Sequence, residues 1–234
     1  VVYNTANMLM PHFVKMHKER RHEGIVNSLH EEIRRLAAFS IPVFFGFLLI
    51  GKDVIILLYS SDYLESVPIF KIYLFLIPLE LYAYNTILQA MGRTDLVFYL
   101  SIGSLAVNAV LSIALVKFIG INGAALATVI ASLFSNAGCL FFIARFTNTS
   151  LAHLMPWGFL ARLCLVSALL YLGFYYAKSL LPVHYGRIFP LGTAFVYWTL
   201  LGAVAWRLGF ITPQDKARIR ATVWSGVRRI RGYA

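Results

Sequence analysis

Uninterrupted runs of uncharged, apolar residues are the feature that most restricts the fold of this chain. Three such runs, at residues 96–116, 118–144 and 188–206, are long enough to cross a bilayer, which takes roughly 20 apolar residues in a helix. In hydrocarbon every backbone N–H and C=O must be paired internally, so only helices and closed barrels span membranes. Barrel strands alternate apolar and polar residues over about ten positions. These runs are continuously apolar for longer than that, and we therefore predict transmembrane helices.

Three further spans are shorter or carry isolated charged residues. They cover residues 36–51, 68–91 and 157–181. Residues 1–14 are typical of the end of one more helix, because the chain begins at Val1 without Met in an apolar pattern. The fold class that we predict is all-α: a polytopic transmembrane helix bundle with about six full spans and a truncated N-terminal helix.

Composition excludes a soluble enzyme. Hydrophobic residues make up 59% of the chain and charged residues only 13%, whereas soluble domains have about 45–50% and about 25%. No phosphate-binding loop, nucleophile elbow or zinc-protease motif is present, and the histidines at 12, 17 and 22 lack the spacing of a helical metal pair. We expect a transporter without cofactor or metal. The two cysteines lie inside apolar runs, where they are typical packing residues.

The net charge of +11 points to a membrane surface and not to nucleic acid. Most basic residues fall into residues 15–35, residues 207–231 and short turns between the apolar runs. Cytoplasmic loops carry an excess of Lys and Arg, so we place both flanks, including the C-terminus, in the cytoplasm. Membrane lipids are the expected partners.

The runs and charges together divide the chain into five parts. We predict a truncated helix end at 1–14, a basic cytoplasmic loop with an amphipathic helix lying at the interface at 15–35, a four-helix part of a lobe at 36–145, two additional helices at 146–209, and a basic cytoplasmic tail with an interfacial helix at 210–234.

A few polar residues lie inside the spans. Glu80 and Asn85 share one span, and Asn108 lies in the next. An ionisable group at membrane depth costs a few kcal/mol, so it usually faces a cavity or a partner. Two interpretations stay open: a polar lining for a solute or lipid headgroup, or hydrogen bonds between buried helices. For Asn108 and for the Ser135–Asn136 pair we favour the second interpretation.

Four ordered motifs carry a resemblance to a known family. They are LLYSSDY at 57–63, ILQAMGRT at 87–94, VNAVL at 107–111 and GINGAALAT at 120–128. The chain up to about residue 150 resembles the C-terminal half of the polysaccharide flippases, which export O-antigen and lipid-linked oligosaccharide units. Their superfamily also contains multidrug extruders and the peptidoglycan lipid flippase. Ser60–Ser61 departs from the pattern, because the family often has Gly after the aromatic residue.

The resemblance implies two six-helix lobes around a cavity that opens alternately to each side of the bacterial cytoplasmic (inner) membrane. The substrate would be a polyprenyl-diphosphate-linked sugar used for surface polysaccharide, and a missing N-terminal lobe would be the main partner. Glu80, Asn85 and Asn108 would lie on the substrate path. The resemblance also implies that the diphosphate would first meet Arg20, Arg21 and Arg93 from the cytoplasm.

Two alternatives remain at this point. A cation-coupled drug extruder of the same superfamily would use Glu80 as its ion-coupling carboxylate. A non-transporting membrane scaffold is the third possibility, since half a transporter holds no complete site of its own.

Overall fold

The computed structural model describes residues 2–19, 21–80, 84–180 and 189–207. Within these ranges the chain is helical and contains no strand. The helices are α1 (Val2–Lys18), α2 (His22–Tyr59), α3 (Ser66–Tyr73), α4 (Leu76–Glu80), α5 (Tyr84–Ala90), α6 (Thr94–Ile119), α7 (Ile121–Thr147), α8 (Leu151–Leu154), α9 (Trp157–Leu180) and α10 (Phe189–Arg207), and a 3-10 turn at Ser61–Tyr63 follows α2.

Five helical stretches in the described part are long and apolar enough to cross a membrane. They are α2, the stretch Ser66–Ala90 that contains α3 to α5, α6, α7, and α9 over Trp157–Lys178. The apolar part of α10, Gly192–Ala205, is shorter. The all-α polytopic bundle is therefore confirmed, with five full-length spans and one shorter helix where about six full spans were predicted. The tail helix predicted at 210–234 lies outside the described residues.

The outer surface of the bundle is apolar. Helix α6 has no buried residue, and it exposes large side chains such as Phe98 (61%), Leu105 (71%) and Phe118 (84%). Exposed apolar surface this extensive is unfavourable in water. In a bilayer it faces acyl chains, which agrees with the composition of the chain.

Helix α2 joins two segments that the sequence suggested were distinct. The amphipathic segment of residues 15–35 and the span after it form one helix, because no residue interrupts the i, i+4 apolar spacing between them. Its apolar side chains Ile25, Leu29 and Ile33 are buried against residues of α1, α5 and α7, among them Phe13 and Ile143. We had expected this stripe to lie at the lipid surface, but it packs inside the protein.

Proline explains why the second span is divided. Pro78 has no N–H to donate to the carbonyl of Leu74, and its ring disfavours a regular helix there. Ile77 donates to Leu74 O at 3.0 Å instead, and Phe75 donates to Ile72 O at 3.1 Å. These tighter i→i+3 bonds separate α3 from α4.

Two hairpin turns join the next spans. Gly92, with φ +74°, precedes α6, and Gly120, with φ +65°, lies between α6 and α7. Positive φ is accessible to glycine without steric cost. The two glycines belong to the motifs at 87–94 and 120–128, and the second turn allows α6 and α7 to pack side by side, with Ala127 and Ala131 buried.

Helices α9 and α10 pack against α2 on the other side of the bundle. Leu163 and Ala205 contact Ala37 and Ile41 in one small apolar cluster. A second cluster joins Leu49 and Ile50 to three residues of α10, which are Ala194, Tyr197 and Leu201.

Candidate functional site

A polar cleft of about 340 Å³ lies among α4, α5, α6 and α7. Its lining residues are Glu80, Asn85, Ser104, Ser132, Ser135 and Asn136. All six lie within the candidate spans Ser66–Ala90, Thr94–Ile119 and Ile121–Thr147, with Glu80 at the end of α4 and Asn85 near the start of α5. The cleft therefore opens at membrane depth, where polar side chains are costly and usually functional.

Hydrogen bonds from α7 fix the end of α4. Ser132 Oγ donates to Glu80 Oε1 at 2.9 Å, and Asn136 Nδ2 donates to the carbonyl oxygen of Leu79, also at 2.9 Å. Residues 132 and 136 are one helical turn apart, so both reach the same neighbour. The carboxylate of Glu80 is thus held in the cleft while its side chain remains exposed to it.

The other two walls are held in the same manner. Cys139 Sγ donates to Asn85 Oδ1 at 3.0 Å, which ties α5 to α7. Ser104 Oγ donates to the carbonyl oxygen of Ala131 at 3.0 Å, which ties α6 to α7. Helix α7 is the common wall, and the cleft exists because α7 contacts all three neighbours.

Asn108 lies one turn beyond Ser104 in a separate network between α6 and α7. Its Nδ2 donates to Thr128 Oγ1 at 3.2 Å, and Ser112 Oγ donates to its Oδ1 at 3.0 Å. Thr128 Oγ1 in turn donates to the carbonyl oxygen of Ala124. The structure brings Glu80 and Asn85 together in the cleft and places Asn108 in a hydrogen bond between two helices.

The basic candidates lie at helix ends. Arg93 donates to both carboxylate oxygens of Asp95, at 3.1 and 3.0 Å, and its guanidinium stands 4.8 Å from the ring centroid of Phe146. The hydrogen bonds to Asp95 raise the pKa of Arg93. At 1.5 Å per residue, Arg93 is about 17 Å along the helix axis from the level of Ser104.

Arg21 is exposed immediately before α2 and forms an ion pair with Glu19 at 3.2 Å. Arg20 lies outside the described residues. The six candidates therefore do not form one site: two line the cleft, one joins α6 to α7, and the described arginines lie at helix ends.

Ser104 and Ser132 were missed as lining residues by the sequence analysis. A signal was present in the sequence. Polar residues recur at 104, 108 and 112 on α6, and at 128, 132, 136 and 139 on α7. Spacings of three and four residues place each set on one helix face.

These features define the class of the protein: a multi-pass membrane protein of apolar helices that enclose a polar cleft at membrane depth. The family model for the lipid II flippase MurJ matches residues 2–195, and the chain belongs to this family. The family is named for a flippase, which is a transporter, in agreement with the expectation that the chain is not an enzyme.

A solved structure described as lipid II flippase MurJ in an inward closed conformation shares the fold. The TM-score is 0.65 with 18% sequence identity, over 86% of this chain and 42% of that chain. The chain therefore spans less than half the length of that structure. No curated protein matches the chain by sequence.

The family corrects the resemblance found in the sequence. The expectation of a lipid-linked flippase of this superfamily is confirmed, but the matching branch is that of lipid II flippases and not that of O-antigen exporters. The motifs behind the resemblance explain why it pointed to the other branch. The turn at Gly120 and the buried alanines that follow it allow close helix packing. The hairpin needs this packing whichever substrate the protein carries.

Proposed function

We propose that this chain is the C-terminal part of a flippase that moves a lipid-linked precursor across the bacterial inner membrane. The family match over residues 2–195 carries the proposal. It favours lipid II, a peptidoglycan precursor, over the O-antigen and surface polysaccharide units that the sequence motifs suggested. Transport would proceed by alternating access, with a second, N-terminal lobe as the partner of this chain.

The cleft supports a transporter and not a membrane scaffold. A scaffold gains nothing from a carboxylate in the middle of a span, because burying it is costly. Glu80 and Asn85 remain our candidates for the polar path through this lobe, and both line the same cleft. Asn108 contributes by holding the α6–α7 wall.

We assign different roles to the arginines. Arg93 is engaged by Asp95 and Phe146, so its proposed role is to fix the turn before α6. Arg21, which is exposed, and its neighbour Arg20 remain candidates for the first contact with a diphosphate, which guanidinium groups bind well.

Pairs of contacting residues agree with the alternation of crossings on which the proposed orientation depends. Counted by crossings from the basic segment at 15–35, Asp53 at the end of the first span and Lys178 at the end of the fifth fall on the same side, and Lys178 donates to Asp53 at 2.6 Å. By the same count His30 and His153 both fall on the side of the basic segment, and His30 contacts the carbonyl oxygen of His153 at 2.6 Å. Since the helices bring together residues of the same predicted side, the alternation of crossings is self-consistent up to α9.

Translocation of a labelled lipid II by the intact protein in proteoliposomes tests the function. We expect lipid II to cross and a lipid-linked O-antigen unit to cross poorly. Equal transport of both would contradict the lipid II assignment, and transport of neither would contradict the flippase.

Glu80→Gln tests the path in the same assay. Loss of the charge should slow translocation about tenfold, equivalent to about 1.4 kcal/mol in the barrier. Glu31→Gln is the matched control, because Glu31 is exposed on α2 away from the cleft lining. An unchanged rate in Glu80→Gln would remove Glu80 from the path.

A further inference from the structure

The chain between α7 and α9 is short and is held at both ends by backbone hydrogen bonds. Asn148 adopts the left-handed conformation, with φ +53°, and ends α7, while the N–H of Thr149 donates back into the last turn of α7 at 3.0 Å. This arrangement is a common way to end a helix with a fixed exit direction. At the other end, the N–H of Leu160 donates to the carbonyl oxygen of Pro156 at 3.0 Å. We call the segment between these two ends, residues 150–156, the strap.

The strap inserts a side chain into the apolar core of the lobe. Leu154 is fully buried in the cluster that α2, α5 and α7 form, with Leu88 and Ile143 among its other members. Met155 is partly buried and packs against the same cluster. Leu151, three residues earlier, is 49% exposed. One leucine of α8 is therefore part of the core, and the other is not.

Hydrogen bonds connect the strap to two different helices. The hydroxyl of Tyr84 on α5 donates to Met155 Sδ at 3.6 Å, and Tyr84 is only 3% exposed. On the other side, His30 Nε2 on α2 lies 2.6 Å from the carbonyl oxygen of His153. A carbonyl can only accept, so the imidazole donates this bond. The strap is thus bonded to α5 and to α2 at the same time.

The joint between the strap and α9 is stiff. Met155 has φ −116° and ψ +135°, which lies in the extended region to which a residue before proline is restricted. Pro156 immediately precedes α9, and its carbonyl oxygen accepts from the N–H groups of Phe159 and Leu160 at 2.9 and 3.0 Å. Because neither residue can rotate freely, a displacement of Tyr84 that moves Met155 reaches the first turn of α9.

Helix α5 contacts both the polar cleft and the strap. Tyr84, which bonds to the strap, is the neighbour of Asn85, which lines the cleft and accepts from Cys139 on α7. We propose that the strap transmits movement of α5 to α9, so that the additional helices change position when the cleft does. The proposal rests on the proposed function, in which the cleft moves during transport, and it gives α9 a part in that cycle.

Distances between spin labels in the intact, purified protein test this coupling without any substrate. The labels are attached at Arg145→Cys on α7 and Gly158→Cys on α9, both of which are exposed. Cys139 is fully buried and stays in place, whereas other reactive cysteines are replaced. Asn85→Ala removes the acceptor of Cys139 and so releases α5 from α7. We expect this change to shift the distance between the labels, because α9 follows α5.

Changes in the strap should remove that shift. Added to Asn85→Ala, Leu154→Ala should abolish it, because a cavity replaces the side chain that fixes the strap in the core. Leu151→Ala makes the same change at the exposed leucine of α8 and should leave the shift intact, as should Leu154→Met, which conserves volume.

Tyr84→Phe provides a second variant that keeps the buried ring and loses only the hydroxyl that donates to Met155. It should reduce the shift. A shift that persists in full with both Leu154→Ala and Tyr84→Phe would overturn the proposal, and so would the absence of any shift in Asn85→Ala.

Translocation of labelled lipid II in proteoliposomes tests whether transport uses the coupling. Leu154→Ala should slow it about tenfold, equivalent to about 1.4 kcal/mol in the barrier, while Leu151→Ala and Leu154→Met keep the full rate. A full rate in Leu154→Ala would take α9 out of the transport cycle and overturn the proposal.

The two proposals can fail separately. If lipid II crosses the membrane but α9 does not follow α5, the strap is wrong and the flippase stands. If the distance shift depends on Leu154 but no lipid-linked precursor crosses, the proposed function is wrong and the coupling through the strap stands.

Discussion

Two of the interfaces between the described helices use different chemistry. Helix α7 contacts α4, α5 and α6 through hydrogen bonds inside the spans, such as those from Asn136 to Leu79 and from Ser104 to Ala131. We call this the polar interface. Helices α9 and α10 contact α2 through aliphatic and aromatic side chains, with Tyr197 fully buried and Trp198 5.8 Å from Phe47. We call this the apolar interface.

The difference follows from the solvent. Lipid tails are as apolar as leucine, so apolar contact alone gives helices little reason to associate in a membrane. Close packing must hold the apolar interface, whereas hydrogen bonds also fix the register of the polar one. The polar interface therefore positions a carboxylate, and the apolar interface attaches an additional pair of helices.

Gly123 gives the largest expected effect and tests the polar interface. A Cβ at this position would overlap the backbone carbonyl of Leu115 and approach the Val116 nitrogen to 2.7 Å. Because backbone atoms of α6 cannot rotate away, Gly123→Ala should destabilise the hairpin by about 3 kcal/mol. Thermal unfolding of the intact protein measures the loss.

Labelling of Cys139 shows where that loss occurs. Cys139 is fully buried in α7 at the polar interface, so a bilayer-permeant maleimide should react faster with it in Gly123→Ala when other cysteines are replaced. Gly173→Ala in α9, where an added Cβ meets no atom within 4 Å, is the control. Unchanged labelling in Gly123→Ala would show that the hairpin does not support this interface.

Most spans and their helical nature could be predicted from the sequence, because hydropathy and glycine turns are local signals. Glu80 and Asn85 could be selected as well, since a polar residue inside an apolar run stands out. Their partner Ser132 is 52 residues from Glu80, and no local pattern shows which neighbour a helix face meets. The same limit explains why the apolar stripe of Ile25, Leu29 and Ile33 was assigned to the lipid surface, when α5 and α7 cover it.

Gly46 gives the next largest effect and tests the apolar interface. A Cβ there would overlap Trp198 Nε1 and stand 2.7 Å from Cε2 of the same ring. The indole also donates to the carbonyl oxygen of Pro42 at 3.3 Å, so it is held in place. Gly46→Ala should weaken the packing of α10 on α2 by about 2 kcal/mol.

Ala194 provides the readout for this change. It is 1% exposed on α10, and a cysteine introduced by Ala194→Cys should become reactive to maleimide in Gly46→Ala while Cys139 stays protected. Gly202→Ala, also on α10 but with no atom within 4 Å of the added Cβ, should leave both unchanged. Simultaneous exposure of both cysteines would contradict the separation into two interfaces.

The ion pair of Asp53 with Lys178 gives the smallest effect, and it tests whether charge contributes to the apolar interface. The side chains are 24% and 33% exposed and 2.6 Å apart. Ion pairs that water reaches usually contribute less than about 1 kcal/mol.

A double-mutant cycle with Asp53→Asn and Lys178→Gln should give a coupling of about 0.5 kcal/mol, measured as reactivity at Ala194→Cys. The coupling should shrink in high salt, because screening shortens the range of the interaction. Lys52→Gln, which alters an exposed neighbour of Asp53, should show none. A coupling as large as the loss in Gly46→Ala would mean that charge and not packing holds α9 and α10 to α2. Both interfaces would then depend on polar contacts, one on hydrogen bonds and the other on an ion pair.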